Sequence, residues 1–191
     1  MARERKFTDE ELYNAVKSIL LEQGYEGFTF SLLADRLEVS RGAIYKYYEN
    51  KESLITQYMV YEMDQFIKEL ERIHQFEGFE QQFDVLMEII FNKQEVHQLI
   101  AIAQHIINHN DEKLKEYKEK LEKLPLQMYL QLQTFIQVGK SSGKLKKTIP
   151  DSLMIGFILQ SIAIPNHTRI PQSEWITYIK EMISQGLFTH S

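Results

Sequence analysis

Residues 29–51 read TFSLLADRLEVSRGAIYKYYENK, and this stretch decides the fold. Phe30, Leu33, Ala34 and Leu37 recur at helical spacing, which predicts a short helix over about 28–37. Ser40 is a suitable N-cap for a second helix over about 41–47, and Asn50 for a third. Two short helices joined by a tight turn, the second ending in aromatic and basic residues, have the layout of a helix-turn-helix. Its second helix lies in the major groove of duplex DNA. The side chains suit that task. Ala34 is small where the two helices cross, and Gly42 lets backbone approach a duplex. Arg41 and Lys46 can neutralise phosphates or reach guanine edges, arginine as a bidentate fork. Tyr45 and Tyr47 offer hydroxyls to phosphate oxygens; one ring is expected to pack and one hydroxyl to touch DNA, and the sequence leaves open which. Tyr48 and Ile44 read as core, and Arg36 as a solvated or ion-paired side chain.

Working outward, Thr8-Asp9-Glu10-Glu11 is a capping-box pattern that starts a first helix, and Gly24 is its expected stop. Leu12, Ala15, Val16, Ile19 and Leu20 form its apolar stripe. A long fourth helix runs from Asn50 to about Gln75 with Ile55, Met59, Phe66, Leu70 and Ile73 on one face. Further helices are predicted at about 79–92, 94–108, 111–141, 151–164 and 172–187, with Pro125 kinking or splitting the third of these. No strand pattern appears. The fold class is all-α, about nine helices. Residues 1–51 form the DNA-binding domain, and 52–191 a helical domain for effector binding and dimerisation.

Composition narrows the function. The chain has 191 residues, no cysteine and a net charge of −5. Thiol chemistry and disulfides are excluded, and a reducing cytoplasm fits. The acidic balance argues against indiscriminate nucleic-acid binding, and residues 1–51 hold eight Lys/Arg against nine Asp/Glu. The DNA reading therefore depends on where Arg41, Lys46 and Lys51 sit. Arg3, Arg5 and Lys6 read as a frayed, solvated tail in preference to a phosphate-grasping arm. Neither a signal peptide nor a membrane-spanning run is legible. No Ser-His-Asp order, phosphate-binding glycine loop or carboxylate pair marks an enzyme, and no cofactor is implied. His105 and His109 stand four apart with His97 upstream, a chelating spacing. Without a clear third ligand they read as packing or surface histidines, and no metal is expected.

The segment GYEGFTFSLLADRLEVSRGAIYKYYENKESLI resembles the tetracycline-repressor (TetR) family of bacterial regulators. The carrying features are Ala34, Val39-Ser40, Gly42, Ile44-Tyr45-x-Tyr47-Tyr48 and Asn50-Lys51-Glu52, within about residues 8–58. Gly139…Gly143-Lys144-Leu145 before Asp151 is similar to the loop preceding the penultimate helix. The family usually places glycine in the turn where this chain has Glu38; a positive φ there would cost about 1 kcal/mol. By position the resemblance implies that Ser31, Arg41, Ala43, Tyr45 and Lys46 lie near bases or adjacent phosphates, and Lys51 on the backbone. Thr29, Ser40, Gly42 and Tyr47 complete the expected DNA-binding set. The protein is expected to be a repressor that binds an inverted-repeat operator as a homodimer. A DNA-binding activator or architectural protein without small-molecule control is the alternative.

The same resemblance implies an effector pocket after the DNA module. Tyr58, Tyr61, Met63, Met87, Phe91, His105, Tyr117, Met128, Tyr129 and Phe135 would suit a hydrophobic or aromatic ligand. Such side chains also fill cores, which is the simpler account of any one of them. A tilt of the fourth helix is the expected route from pocket to DNA. Residues 153–164, LMIGFILQSIAI, are apolar nearly all round. Core packing would explain this, but the surplus favours a four-helix dimer interface built from Leu153, Phe157, Ile158, Trp175, Ile179, Met182 and Ile183. The Lys144-Lys146-Lys147 cluster reads as a solvated loop.

Overall fold

The computed structural model describes residues 6–92 and 115–189. The described helices are α1 (Asp9–Gly27), α2 (Phe30–Arg36), α3 (Arg41–Tyr45), α4 (Lys51–Glu71), α5 (Phe79–Asn92), α6 (Lys115–Ser141), α7 (Asp151–Gln160) and α8 (Gln172–Leu187). A 3-10 turn follows α4 at Arg72–Gln75 and another follows α7 at Ser161–Ala163. Among the described residues there is no strand beyond one isolated bridge, Leu145 with Phe188, so the fold is all-α. The expected helix at 94–108 lies outside the described residues, as do His97, His105, His109, Arg3 and Arg5.

The described chain forms two compact units, one of residues 6–63 and 115–122, the other of 64–92 and 123–189. In the first, α1 begins as its sequence predicts. The Glu11 amide donates to Thr8 Oγ1 at 3.1 Å and the Thr8 amide to Glu11 Oε2 at 2.8 Å, so two otherwise orphaned donors are satisfied reciprocally. The predicted stripe Leu12, Ala15, Val16, Ile19 and Leu20 is buried. Gly24, with φ +68, breaks the helix, and one further turn carries the chain to Gly27. α2 is shorter than predicted. Thr29 Oγ1 accepts from the Leu32 amide at 3.2 Å, so the helix starts after Thr29, and Phe28 is buried on extended backbone before it. Asn50 Oδ1 caps α4 by accepting from the Ser53 amide at 2.8 Å.

The second unit has one continuous core. Phe79 stacks on Phe135 at 4.8 Å, and Phe188 meets Phe79 and Phe83 edge-on at 5.2 and 5.0 Å. A Cβ on Gly139 would lie 2.5 Å from Phe79 Cε2 and 2.7 Å from Leu145 Cδ1, so only glycine lets α6 approach there. Pro125 does not split α6, which continues through that position to Ser141. An interior proline costs about 3 kcal/mol through a lost amide and a clash with the carbonyl four residues back, a local cost that a 27-residue helix can absorb without ending. The lysine cluster after α6 is not merely solvated. Lys144 pairs with Glu80 at 2.5 Å, and Lys146 Nζ donates to the Gly186 carbonyl at 2.8 Å, satisfying the C-terminal end of α8. Sequence alone gave no sign of these partners, which lie 64 and 40 residues away.

Candidate nucleic-acid interface

The turn between α2 and α3 is a Schellman motif. The Val39 amide donates to Ala34 O at 2.9 Å and the Glu38 amide to Asp35 O at 3.2 Å, with Glu38 at φ +54. The left-handed residue is therefore the glutamate that stands where glycine is usual. The end of α6 repeats the motif with the usual residue: Lys144 N donates to Gly139 O at 2.8 Å, Gly143 N to Lys140 O at 3.2 Å, and Gly143 has φ +74.

This turn delivers Ser40 to the N-cap position of α3. Its backbone carbonyl accepts from the Ala43 amide at 2.9 Å, but its side chain makes no capping bond, contrary to the sequence reading. α3 ends at Tyr45, two residues early, because the Tyr47 and Tyr48 amides both turn back onto Ile44 O. Ile44 and Tyr48 are buried and anchor the helix, as read. The opposite side carries Arg41, Gly42, Tyr45 and Lys46, all exposed, with Ser31, Ser40, Thr29 and Tyr47 exposed and Ala43 half-buried.

The two tyrosines share one design. Tyr45 is 58% exposed, its ring edge-on to buried Phe30 at 4.9 Å; Tyr47 is 46% exposed, edge-on to buried Phe7 at 6.0 Å. Each ring is thus held on one side and open on the other, so the choice between packing and exposure does not arise. Arg41 Nη1 lies 3.5 Å from Ser31 Oγ, a weak tie that leaves most of its fork unengaged by it. Lys51 faces α1: its ammonium donates to Tyr25 O at 3.1 Å and sits 4.4 Å from the Tyr25 ring centroid. The Tyr25 hydroxyl in turn donates to Glu52 Oε1 at 3.0 Å, and burial together with that carboxylate pushes its pKa up. Arg36 is an ion-paired residue, as one reading had it. It grips Glu22 with both nitrogens, at 3.2 and 2.9 Å, and also reaches Ser18 Oγ. This contact with Arg36 holds the Glu22 carboxyl down to about 2.

One feature was missed. Lys6 and Phe7 line an open cleft of about 690 Å³ together with Ser40, Gly42, Ala43, Lys46 and Tyr47. The signal was present in the sequence. Phe7 and Leu12 occupy the N′ and N4 positions about the Thr8 cap, and both are buried, the arrangement of a hydrophobic staple.

The other expected sets divide by burial. Of the seven dimer-interface residues, Ile158, Ile179 and Ile183 belong to the core of the second unit, because the helical period turns them inward. Trp175 is partly buried against that core. Leu153, Phe157 and Met182 are outside, at 61, 46 and 60% exposure, and Tyr178, not foreseen, joins them at 44%. Of the effector set, Tyr58 is buried in the first unit, where Tyr61 and Tyr117 are half-buried; Tyr58 and Tyr61 flank Tyr13 at 5.8 and 4.7 Å, and Met63 is half-buried at the end of that unit. Met87, Phe91 and Phe135 are buried in the core of the second unit, with Met128 and Tyr129 packed against it. His105 is outside the described residues.

Among the described residues, no helix is long and apolar enough to cross a membrane, and no cluster of three or more metal-ligating side chains occurs. The sequence model for bacterial regulatory proteins of the tetR family matches residues 12–58. No curated protein matches the chain. Its fold is similar to that of the transcriptional regulator FadR from Bacillus subtilis, in complex with stearoyl-CoA, at 20% identity and TM-score 0.67, covering 96% of this chain and 100% of that one. The ketosteroid transcriptional regulator KstR2 of Mycobacterium tuberculosis gives 14% identity and TM-score 0.73, covering 100 and 98%. A putative transcriptional regulator from Saccharomonospora viridis, in complex with choline, gives 10% and 0.77, covering 95 and 97%. The tetR-family match thus lies on the helix-turn-helix segment, residues 12–58, and the fold along the rest of the chain is similar to that of these transcriptional regulators.

Proposed function

We propose that the protein is a repressor that binds an inverted-repeat operator as a homodimer and is released by a small hydrophobic effector. The observation that supports DNA reading best is the face of α3. Arg41, Tyr45 and Lys46 point outward from a helix anchored by Ile44, with two aromatic rings held at fixed attitudes. A dimer would set two such helices about 34–36 Å apart, one turn of the duplex. The exposed apolar residues Leu153, Phe157, Tyr178 and Met182 of α7 and α8 support pairing of subunits there. The effector class is supported by the stearoyl-CoA and ketosteroid names attached to regulators of similar fold. Release by 100-fold requires the effector to favour the DNA-free conformation by about 2.7 kcal/mol.

Fluorescence anisotropy of the full chain on duplexes selected from a random pool tests the proposal. Binding should be specific and fall steeply with salt. Long-chain acyl-CoA and ketosteroid probes should then lower the affinity. A folded protein that ignores every duplex at low ionic strength would sink the DNA reading; binding that no hydrophobic probe alters would sink the effector class.

A further inference from the structure

We infer that Lys6 is a DNA-backbone contact: the cleft between the Lys6–Phe7 segment and α3 seats a phosphate of the duplex that α3 reads. This rests on the DNA-binding reading above and adds to it a cation that lies outside the helix-turn-helix.

A lysine two residues before the N-cap of a first helix ordinarily frays. Here it is held. Thr8 and Glu11 close a capping box, with bonds of 2.8 and 3.1 Å, and Phe7 is buried at 5% exposure with its ring against Tyr47. The chain therefore enters α1 at a fixed angle beside α3. Lys6 is exposed, and it lines the same cleft as Ser40, Gly42, Ala43 and Lys46, four residues of the expected DNA-facing set.

The lining chemistry selects an anion. Two ammonium groups, Lys6 and Lys46, border the cleft, and no carboxylate is among its lining residues, in a chain with a net charge of −5. The Ser40 hydroxyl makes no capping bond and so is available to accept or donate within the cleft. Gly42 and half-buried Ala43 keep one wall low. When α3 faces a groove, the groups nearest these side chains are the phosphates of its rim. A phosphodiester accepts from ammonium and hydroxyl groups alike.

The test uses the full chain as wild type, Lys6→Gln, Lys6→Arg and Lys147→Gln, the last an exposed lysine of the second unit. Affinity for a duplex recovered by the wild-type protein from a random pool is followed from about 50 to 200 mM salt. Each phosphate contact contributes about 0.9 to the slope of log K against log salt, so Lys6→Gln should lower it by about 0.9 per engaged subunit. That corresponds to about eightfold weaker binding per subunit at 0.1 M salt, taking 1 M as the reference. Lys6→Arg should keep the wild-type slope, as should Lys147→Gln. An unchanged slope in Lys6→Gln overturns the inference while the DNA reading stands. So does an equal loss in Lys147→Gln, which would reveal a general charge effect. Wild-type protein that binds no duplex fails the reading itself and is recognised before any variant is compared.

Discussion

Replacing Gly42 by alanine should move stability and DNA affinity in opposite directions. Glycine in a helix costs about 1 kcal/mol relative to alanine, because its backbone loses more freedom on folding. Gly42 sits in the first turn of a five-residue helix and is not among the residues with positive φ. A Cβ built there meets only Ser40 Oγ, at 3.9 Å, an ordinary van der Waals contact. The protein's own packing therefore gives no reason for glycine. Gly42→Ala should stabilise the fold by about 0.5–1 kcal/mol, less than a mid-helix site because α3 is short. For a chain of this size that raises Tm by about 1–4 °C. If α3 lies against a duplex, the same methyl projects from an exposed face that borders the cleft, and it should hold the backbone off. We expect at least about tenfold weaker operator binding, equivalent to about 1.4 kcal/mol. Thermal unfolding and anisotropy on the same preparations measure both quantities. A variant that is more stable and binds DNA as tightly as wild type refutes the argument that glycine serves close approach. A less stable variant refutes the reading of open space around position 42.

Glu38→Gly should stabilise the protein by about 1 kcal/mol, since the glutamate holds φ +54 at the left-handed position of its Schellman motif; an unchanged denaturant midpoint would show that the turn carries no strain. Acid should expose the Arg36–Glu22 pair. The carboxyl is depressed from 4.5 to about 2, so its contribution is present above about pH 4.5 and is lost as pH falls through about 2. Glu22→Gln should flatten that limb of the stability profile, and an identical profile would remove the pair from the account. Leu153→Glu and Met182→Glu should yield monomers with wild-type helicity in sedimentation and circular dichroism, whereas Ile183→Ala, at 1% exposure, should cost about 2–5 kcal/mol of stability. Dimers that survive both charge insertions would place the subunit contact elsewhere.

What the sequence revealed depended on how far each interaction reaches along the chain. The capping box at Thr8, the Asn50 cap and the stripe of α1 are set within three or four residues, and all are found where their spacing places them. The positive φ at Glu38 was raised only through the family resemblance, which usually places glycine in that turn, and Glu38 has φ +54. Partners far apart in sequence were not legible. Lys144 and Lys146 look like solvent-facing cations until Glu80 and the end of α8 are brought to them.

The proposed dimer surface shows a different limit. Apolar residues nearly all round α7 signal that two faces are covered, but composition does not say which face belongs to which neighbour. Helical phase decides it: Met154, Ile155 and Ile158 turn into the core, leaving Leu153 and Phe157 outside. On α8 the same rule separates Ile179 and Ile183 from Tyr178 and Met182. Phase is fixed only by the first confidently buried residue, and an all-apolar helix offers no polar face from which to choose it. The N-terminus shows a limit of another kind. Lys6 is exposed, as the tail reading expects, and only its neighbour bears on whether the segment is held. Phe7, one residue on, with Leu12 as its partner across the cap, is what holds that segment beside α3. A terminal cation is therefore better judged by whether the next apolar residue has somewhere to go than by its own charge.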